Sequence, residues 1–428
     1  MSMKSRFTIF VGADWGSQFH QVCILTLEGI LLGEKVFSHS GEGLQQLADW
    51  ILDRAGCAAD KIAVGIEVPH GPVVDTLLER GFHVFSINPK QADRFRDRLS
   101  PAGAKDDRRD ARVIADALRT DIGCFRELNP MDPRIVQLRE WSRMNQELTN
   151  QRTRLTHQIR TQFWRYFPQF LTLGLALYSP ALRDLWKLIL TPKRARRVHL
   201  SSVTKVLKKH RIRRLNAEQV LTHLRTQPIR VAAGVVEAAT ASIRIHLQQL
   251  ELLERQISEA KQAMKTILDS LNDAQSPATS NCALNQEKKT SSEEKPLSDV
   301  EILLSIPGMG PTVLAALISE AYGLLSEQDY RALRCLCGVA PVTKRSGKSW
   351  KVVRRKACQA RLGNAVYHWS RVAIQHDPIS RAKYDALRKR GHSHGRALRS
   401  VADRLLAIAC VMLRDRTLFD PSRRTAAA

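Results

Sequence analysis

The sequence is short of aromatic residues, of acid relative to base, and of any long uninterrupted apolar run. Phe, Trp and Tyr together make up 6% of the 428 residues. The most basic segment, "TPKRARRVHLSSVTKVLKKHRIRRL", has no regular aromatic interleaving, so nothing in it supports base stacking. The eight cysteines show no metal-type pairing. Cys335 and Cys337 form a CxC without a matching pair, which leaves buried or incidental thiols in a reducing cytoplasm as the expectation. The best apolar run, "FLTLGLALYSPALRDLWKLIL", is broken by Ser179, Pro180, Arg183 and Asp184, so no membrane partner is expected. Asp14 interrupts the first apolar stretch, so the N-terminus does not read as a secretory leader and a cytoplasmic location is expected.

What the chain does have is positive charge. Lys and Arg number 67 against 42 acids, a formal net charge of +25. Such a surplus attracts polyanions, of which nucleic acid is the commonest large one. The length allows more than one domain. Residues 6–120 alternate strands and helices in the order βββαβαβα, a mixed α/β domain. Residues 133–166 and 236–270 read as long amphipathic helices. In the second, Ile243, Leu247, Leu250, Leu253 and Ile257 recur at three and four, as in a coiled-coil seam. Between them lies a basic insert at 190–235, either a solvated mobile surface or a phosphate-binding patch. The predicted division is an α/β domain at 1–128, a coiled-coil region with the insert at 129–271, a disordered linker at 272–299 and a helical domain at 300–428.

In so basic a chain, "AKDDRRDARVIADAL" crowds together Asp106, Asp107 and Asp110. The plain explanation is a helix start, where acids meet the positive end of the helix dipole. The sharper one rests on spacing. Asp107 and Asp110 share a helix face, with Cβ atoms ~5–6 Å apart. Hard oxygen ligands so placed suit Mg²⁺, with Mn²⁺ as the alternative. Asp14 ends the first strand and Glu67 the fourth. In a ribonuclease-H-like sheet those strands are central neighbours, so Asp14, Glu67, Asp107 and Asp110 form a candidate metal and catalytic set.

Two further stretches carry chemistry. In "SIPGMGPTVLAALISEA", Gly308 and Gly310 lie between helices, as in helix-hairpin-helix DNA binders whose N–H groups hold phosphate. A simple Gly-Pro helix start is the alternative. In "LCGVAPVTKRSGKSWKVVRRKACQARLGN", the cations Lys344, Arg345, Lys348, Arg354 and Arg355 surround Ser346 and Ser349. Serine needs activation to act as a nucleophile, and such cations could stabilise developing phosphate charge. A passive phosphate-binding loop fits the same residues.

Taken in order, "VGADWG", "VGIEVPHG", "INP", "KDDRRDA", "SIPGMGPTVLAALISE", "LCGVAPVTKRSGK" and "RLGNAVYHWSRVAIQHDP" resemble the DEDD-type transposases of insertion sequence family 110, described as bridge-RNA-guided recombinases. The resemblance implies a RuvC-like N-terminal domain, a coiled-coil middle and a C-terminal transposase domain with a serine nucleophile. It places the four acids on Asp14, Glu67, Asp107 and Asp110 and the nucleophile on Ser346, with Ser349 the weaker choice. It implies donor and target DNA and a structured noncoding guide RNA as partners. It also implies a dimer or tetramer in which acids and serine meet at one DNA strand. The chain departs from the family in Lys-Asp before Asp107, where Lys-Thr is usual, and in a single Gly in the serine loop. Rival functions are a junction-resolving nuclease without a covalent intermediate and a non-enzymatic nucleic-acid scaffold. A proofreading exonuclease would place His or Tyr where Lys105 and Asp106 stand.

Overall fold

The computed structural model describes residues 6–99, 106–129, 132–232, 234–274 and 297–422. Most of the expected linker, 275–296, lies outside these residues, as does Lys105. The chain divides into two compact units, one up to Asp132 and one from Pro133.

The first unit contains β1 (Ile9–Trp15), β2 (Phe19–Thr26), β3 (Leu31–Ser38), α1 (Gly41–Ala55), β4 (Ile62–Ile66), α2 (Pro72–Glu79), β5 (His83–Ser86), α3 (Pro89–Leu99), α4 (Asp107–Asp121) and β6 (Arg126–Leu128). They form one six-stranded sheet in the order β3-β2-β1-β4-β5-β6. β1 runs antiparallel to β2 and parallel to β4, which is parallel to β5. β1 and β4 are thus central neighbours, as the ribonuclease-H-like expectation requires. Two elements differ from the sequence reading. A further helix, α3, precedes α4, the helix expected in 104–118, and a three-residue strand, β6, closes the sheet antiparallel to β5.

Side chains alternate across the pleat. Val11, Ala13, Val64 and Ile66 face one way and share a core with Leu47, Ile51 and Leu77 of α1 and α2. Phe10 and Ala63 face the other way, onto Ile114 and Leu118 of α4. On that face Gly12 lets the helix backbone touch the strand. A Cβ there would lie 1.9 Å from the Ala111 carbonyl oxygen and 2.6 Å from the Ala115 nitrogen.

The second unit begins with α5 (Pro133–Tyr166), whose limits match the sequence reading. There follow α6 (Pro180–Leu188), α7 (Pro192–Ala195), α8 (Leu200–Lys209), α9 (Ala217–Leu224) and α10 (Val235–Ala274). Arg134 Nη1 donates to the Ser270 carbonyl and Arg152 pairs with Glu254, so α5 and α10 run antiparallel. The residues of the expected seam therefore pack within the chain. Ile243, Leu247 and Leu250 are buried with Leu155, Ile159 and Phe163, and Leu253 packs on the same core.

The basic insert is folded, which corrects the mobile-surface alternative. Val203, Leu207, Val220 and Leu224 are buried around Phe167, Phe170 and Trp186. The apolar run near 170–190 supplies much of this core. Among the described residues, no helix is long and apolar enough to cross a membrane.

Beyond α10 the described elements are α11 (Asp299–Leu304), α12 (Pro311–Ser326), α13 (Tyr330–Leu336), β7 (Val342–Ser346), β8 (Ser349–Val353), α14 (Ala360–His376), α15 (Pro378–Lys389) and α16 (His394–Asp415). Residues 272–274 belong to α10, and Ser298 caps α11 in a reciprocal capping box with Glu301, so both described ends of the expected 272–299 linker are ordered in helices or their caps. Glu320 of α12 ties this region to α5. Its buried carboxylate accepts from Arg143 at 3.1 Å, Arg361 at 3.0 Å and Gln359 at 2.6 Å.

Candidate active site

The four acids stand at one end of one face of the sheet. Ala13 is in register with Ile66, so Asp14 and Glu67 follow on adjacent parallel strands. By alternation each continues the series that faces α4: Phe10, Gly12 and Asp14 on β1, and Ala63, Gly65 and Glu67 from β4. α4 runs against β1. Its C-terminal Arg119 donates to the Leu27 carbonyl, beyond Thr26, which pairs with Ile9 at the start of β1. The first turn of α4, with Asp107 and Asp110, therefore lies toward the strand ends that carry Asp14 and Glu67.

Within that arrangement the side chains differ. Asp107 is exposed, whereas Asp110 is only 4% exposed. Arg96 Nε donates to Asp110 Oδ1 at 2.6 Å and its Nη1 to Asp93 Oδ1 at 2.8 Å. Burial works against the Arg96 charge, but bonding to Asp110 and then Asp93 raises its pKa above the ordinary arginine value. Glu67 also lines a cleft of about 320 Å³ with Ser86, Asn88, Gln91 and Arg126 at the ends of β4 and β5. Such strand-end clefts are where open α/β sheets bind ligands.

Four carboxylates suit a hard divalent cation by donor chemistry and by backbone placement. Among the described residues, no group of three or more His, Cys, Asp or Glu stands in metal-holding geometry. For Asp110 to join a metal, it must exchange Arg96 for the cation.

The second unit holds the serines. β7 and β8 form a two-stranded ribbon joined by Gly347 and Lys348. Gly347 is left-handed, with φ 53°, and Lys348 is not, the pattern of a two-residue turn with Gly first. Ser346 and Ser349 are the last cross-strand pair, so both hydroxyls lie on the same face of the tip. Lys344, Arg345, Lys348 and Lys351 are all exposed. The sequence reading brought these residues together but treated them as a loop; the Ser-Gly pair, a tight-turn dipeptide, was the available signal.

Arg354 follows the ribbon and is exposed, while Arg355 is half-buried with an Nε that has no hydrogen-bond partner. Arg399 was missed by sequence reasoning. Burial, and then the charges of Arg354 and Arg396, push its pKa down. Three guanidiniums so arranged favour an anionic partner.

The glycine hairpin packs closely on its own unit. Gly308 is left-handed, with φ 80°, and a Cβ there would lie 2.6 Å from the Ala373 nitrogen. Pro307 accepts from the Trp369 indole at 3.0 Å, and Met309 is buried. Gly308 thus permits close packing on α14, and Gly310 precedes Pro311 at the start of α12.

Comparison with known proteins matches both ends of the chain. Residues 11–168 match a family model described as "Transposase", the DEDD type of the IS110 group, and residues 300–385 match one described as "Transposase IS116/IS110/IS902 family". The chain is 31% identical over 427 residues to the "Mini-circle putative transposase for IS117" of Streptomyces coelicolor, covering 98% of this chain and 97% of that protein. It is 52% identical over 209 residues to the "Putative transposase y4uE" of Sinorhizobium fredii, covering 49% of this chain and 58% of that protein. It is 26% identical over 435 residues to an IS116 protein of Streptomyces clavuligerus, "uncharacterized 44.8 kDa protein", covering 97% of this chain and 96% of that one.

Proposed function

Since this chain belongs to the IS116/IS110/IS902 family of transposases, we propose that it cleaves and rejoins DNA strands of an insertion sequence, with Ser346 as nucleophile and a structured noncoding RNA as guide. One observation carries the nucleophile: Ser346 stands at the tip of an exposed ribbon among exposed cations, Lys344, Arg345, Lys348 and Lys351. Its Oγ bonds to a DNA phosphorus while the bond from phosphorus to the leaving deoxyribose oxygen breaks. The seryl proton is balanced by the one the leaving oxygen takes up. The phosphodiester energy is kept in a phosphoserine link, so rejoining needs no ATP. Lys344 and Lys351, on the same ribbon face, are positioned to offset charge at the reacting phosphate.

Asp14, Glu67, Asp107 and Asp110 hold divalent metal in this reading, as DEDD transposases generally do. Mg²⁺ or Mn²⁺ bound there supplies charge neutralisation at a scissile phosphate. The net charge of +25 supports a large nucleic-acid footprint. RNA guidance rests on that charge together with the family resemblance, since pairing would deliver sequence choice. Assembly of two or four copies belongs to the same proposal.

The test is a denaturing gel of protein trapped on nicked DNA, with peptide mapping of the adduct. Wild type gives an adduct at Ser346; Ser346→Ala binds DNA but gives neither adduct nor cleavage, and Ser349→Ala keeps measurable activity. An adduct on Ser349 overturns the choice of residue. Metal-dependent cleavage by Ser346→Ala with no adduct establishes the junction-nuclease alternative.

A further inference from the structure

The ribbon has two chemically different faces. Its register pairs Ser346 with Ser349, Arg345 with Trp350, Lys344 with Lys351 and Thr343 with Val352. Alternation along each strand puts the serines and both lysines on one face. Arg345, Trp350, Thr343 and Val352 occupy the other.

That second face is uncovered within its own unit. Trp350 is 73% exposed, and Val352 beside it 56%. An indole is a large apolar surface that normally buries 150–250 Å² or finds a partner. The charges around it select among partners. Arg345 stands directly across from Trp350, Lys344, Lys348 and Lys351 lie on the same short ribbon, and Arg354 follows it. A second copy of so cationic a ribbon would be repelled. A phosphate backbone would satisfy the cations but leave the indole uncovered. A nucleobase attached to that backbone satisfies both, because every base has a π-face and arginine adds a cation–π contribution. Inside an intact duplex those faces are hidden by neighbouring bases.

We propose that Trp350, with Arg345 beside it, is a stacking platform for an unpaired nucleobase on the ribbon face opposite Ser346. The inference rests on the reading of the ribbon as the element that handles the nucleic-acid strand. It adds a base contact where that reading supplies only phosphate contacts. An unpaired base can belong to DNA opened near the cleavage point or to single-stranded RNA; the recognising chemistry is the same.

The experiment measures binding of the full chain to 2-aminopurine-labelled oligonucleotides: single-stranded DNA, single-stranded RNA and closed duplex DNA. Trp350→Ala is expected to weaken single-strand binding about tenfold and to abolish quenching of the probe. Trp350→Phe retains most of both, and duplex affinity changes little. The single strand showing the larger loss identifies the source of the base. Unchanged single-strand binding and quenching in Trp350→Ala, or an equal loss on duplex, overturns the platform. A changed oligomeric state with unchanged quenching also overturns it, in favour of a protein contact. Ser346→Ala is measured in parallel. It is expected to retain quenching, so a cleaving Ser346→Ala refutes the nucleophile while the stacking result stands on its own.

Discussion

The guanidinium of Arg96 reaches from α3 to the first turn of α4, where its Nε donates to Oδ1 of Asp110 across 2.6 Å. A protein cation thus holds the most buried of the four acids. Removing it should free the carboxylate for metal. A charge-assisted bond is worth about 1.5–3 kcal/mol, so Arg96→Gln should tighten Mn²⁺ binding about tenfold by calorimetry. Asp110→Asn should eliminate both the metal response and strand cleavage while leaving nucleic-acid binding largely intact. Equal Mn²⁺ affinity in wild type and Arg96→Gln would show that the pair does not compete with metal.

Arg399 gives a prediction with opposite signs for binding and stability. Its pKa is lowered by burial and then by the charges of Arg354 and Arg396. Arg399→Gln should reduce the slope of log affinity against log salt by about 1 for DNA. Because it relieves like-charge repulsion, it should leave the thermal midpoint unchanged or higher. A lower midpoint with an unaltered salt slope would contradict the anion-site assignment.

Dependence on RNA can be checked directly. If the proposed guidance holds, protein freed of RNA by nuclease and high salt should fail to recombine its sites and should recover when a structured noncoding RNA transcribed from the same element is returned. Efficient recombination by RNA-free protein would exclude guidance.

Acid should loosen the joint between α5, α12 and α14. Burial alone would raise the Glu320 carboxyl, but Arg143, Arg361 and Gln359 outweigh it and hold its pKa below the ordinary 4.5. A depressed acid contributes stability above its unfolded-state pKa and loses it as pH falls through the folded value. Below about pH 4.5, the urea midpoint of wild type should therefore fall more steeply than that of Glu320→Gln. At neutral pH, Glu320→Ala should cost about 3 kcal/mol, since two buried-side arginines lose their partner.

The contact between Gly12 and α4 has no slack. Gly12→Ala should destabilise the first unit by about 3 kcal/mol, read as a lowered urea midpoint. It should weaken cleavage even though no acid is altered.

Much of this architecture was legible in the chain itself. Apolar runs that stop at an acid located the strand ends to within one residue, β1 running to Trp15 and β4 to Ile66, and α5 followed from unbroken helical periodicity. The DxxD spacing located both helix acids. The Arg96–Asp110 bond was not legible, because nothing local in the sequence says which nearby arginine turns inward. The ribbon escaped because β7 and β8 are exposed on both faces, so no apolar alternation marks them as strands. The folded insert escaped for a different reason. In α8 two buried residues, Val203 and Leu207, are outnumbered by cations that dominate the composition.

The antiparallel pairing of α5 and α10 also constrains how such chains can change in length. Because Arg134 meets Ser270 and Arg152 meets Glu254, each level of one helix is fixed to a level of the other. A deletion in one arm alone rotates and slides every later contact out of register. Matched losses of whole turns from both arms preserve it. Length variation among relatives should therefore occur as paired gaps, one before and one after the insert, rather than as single gaps in either helix.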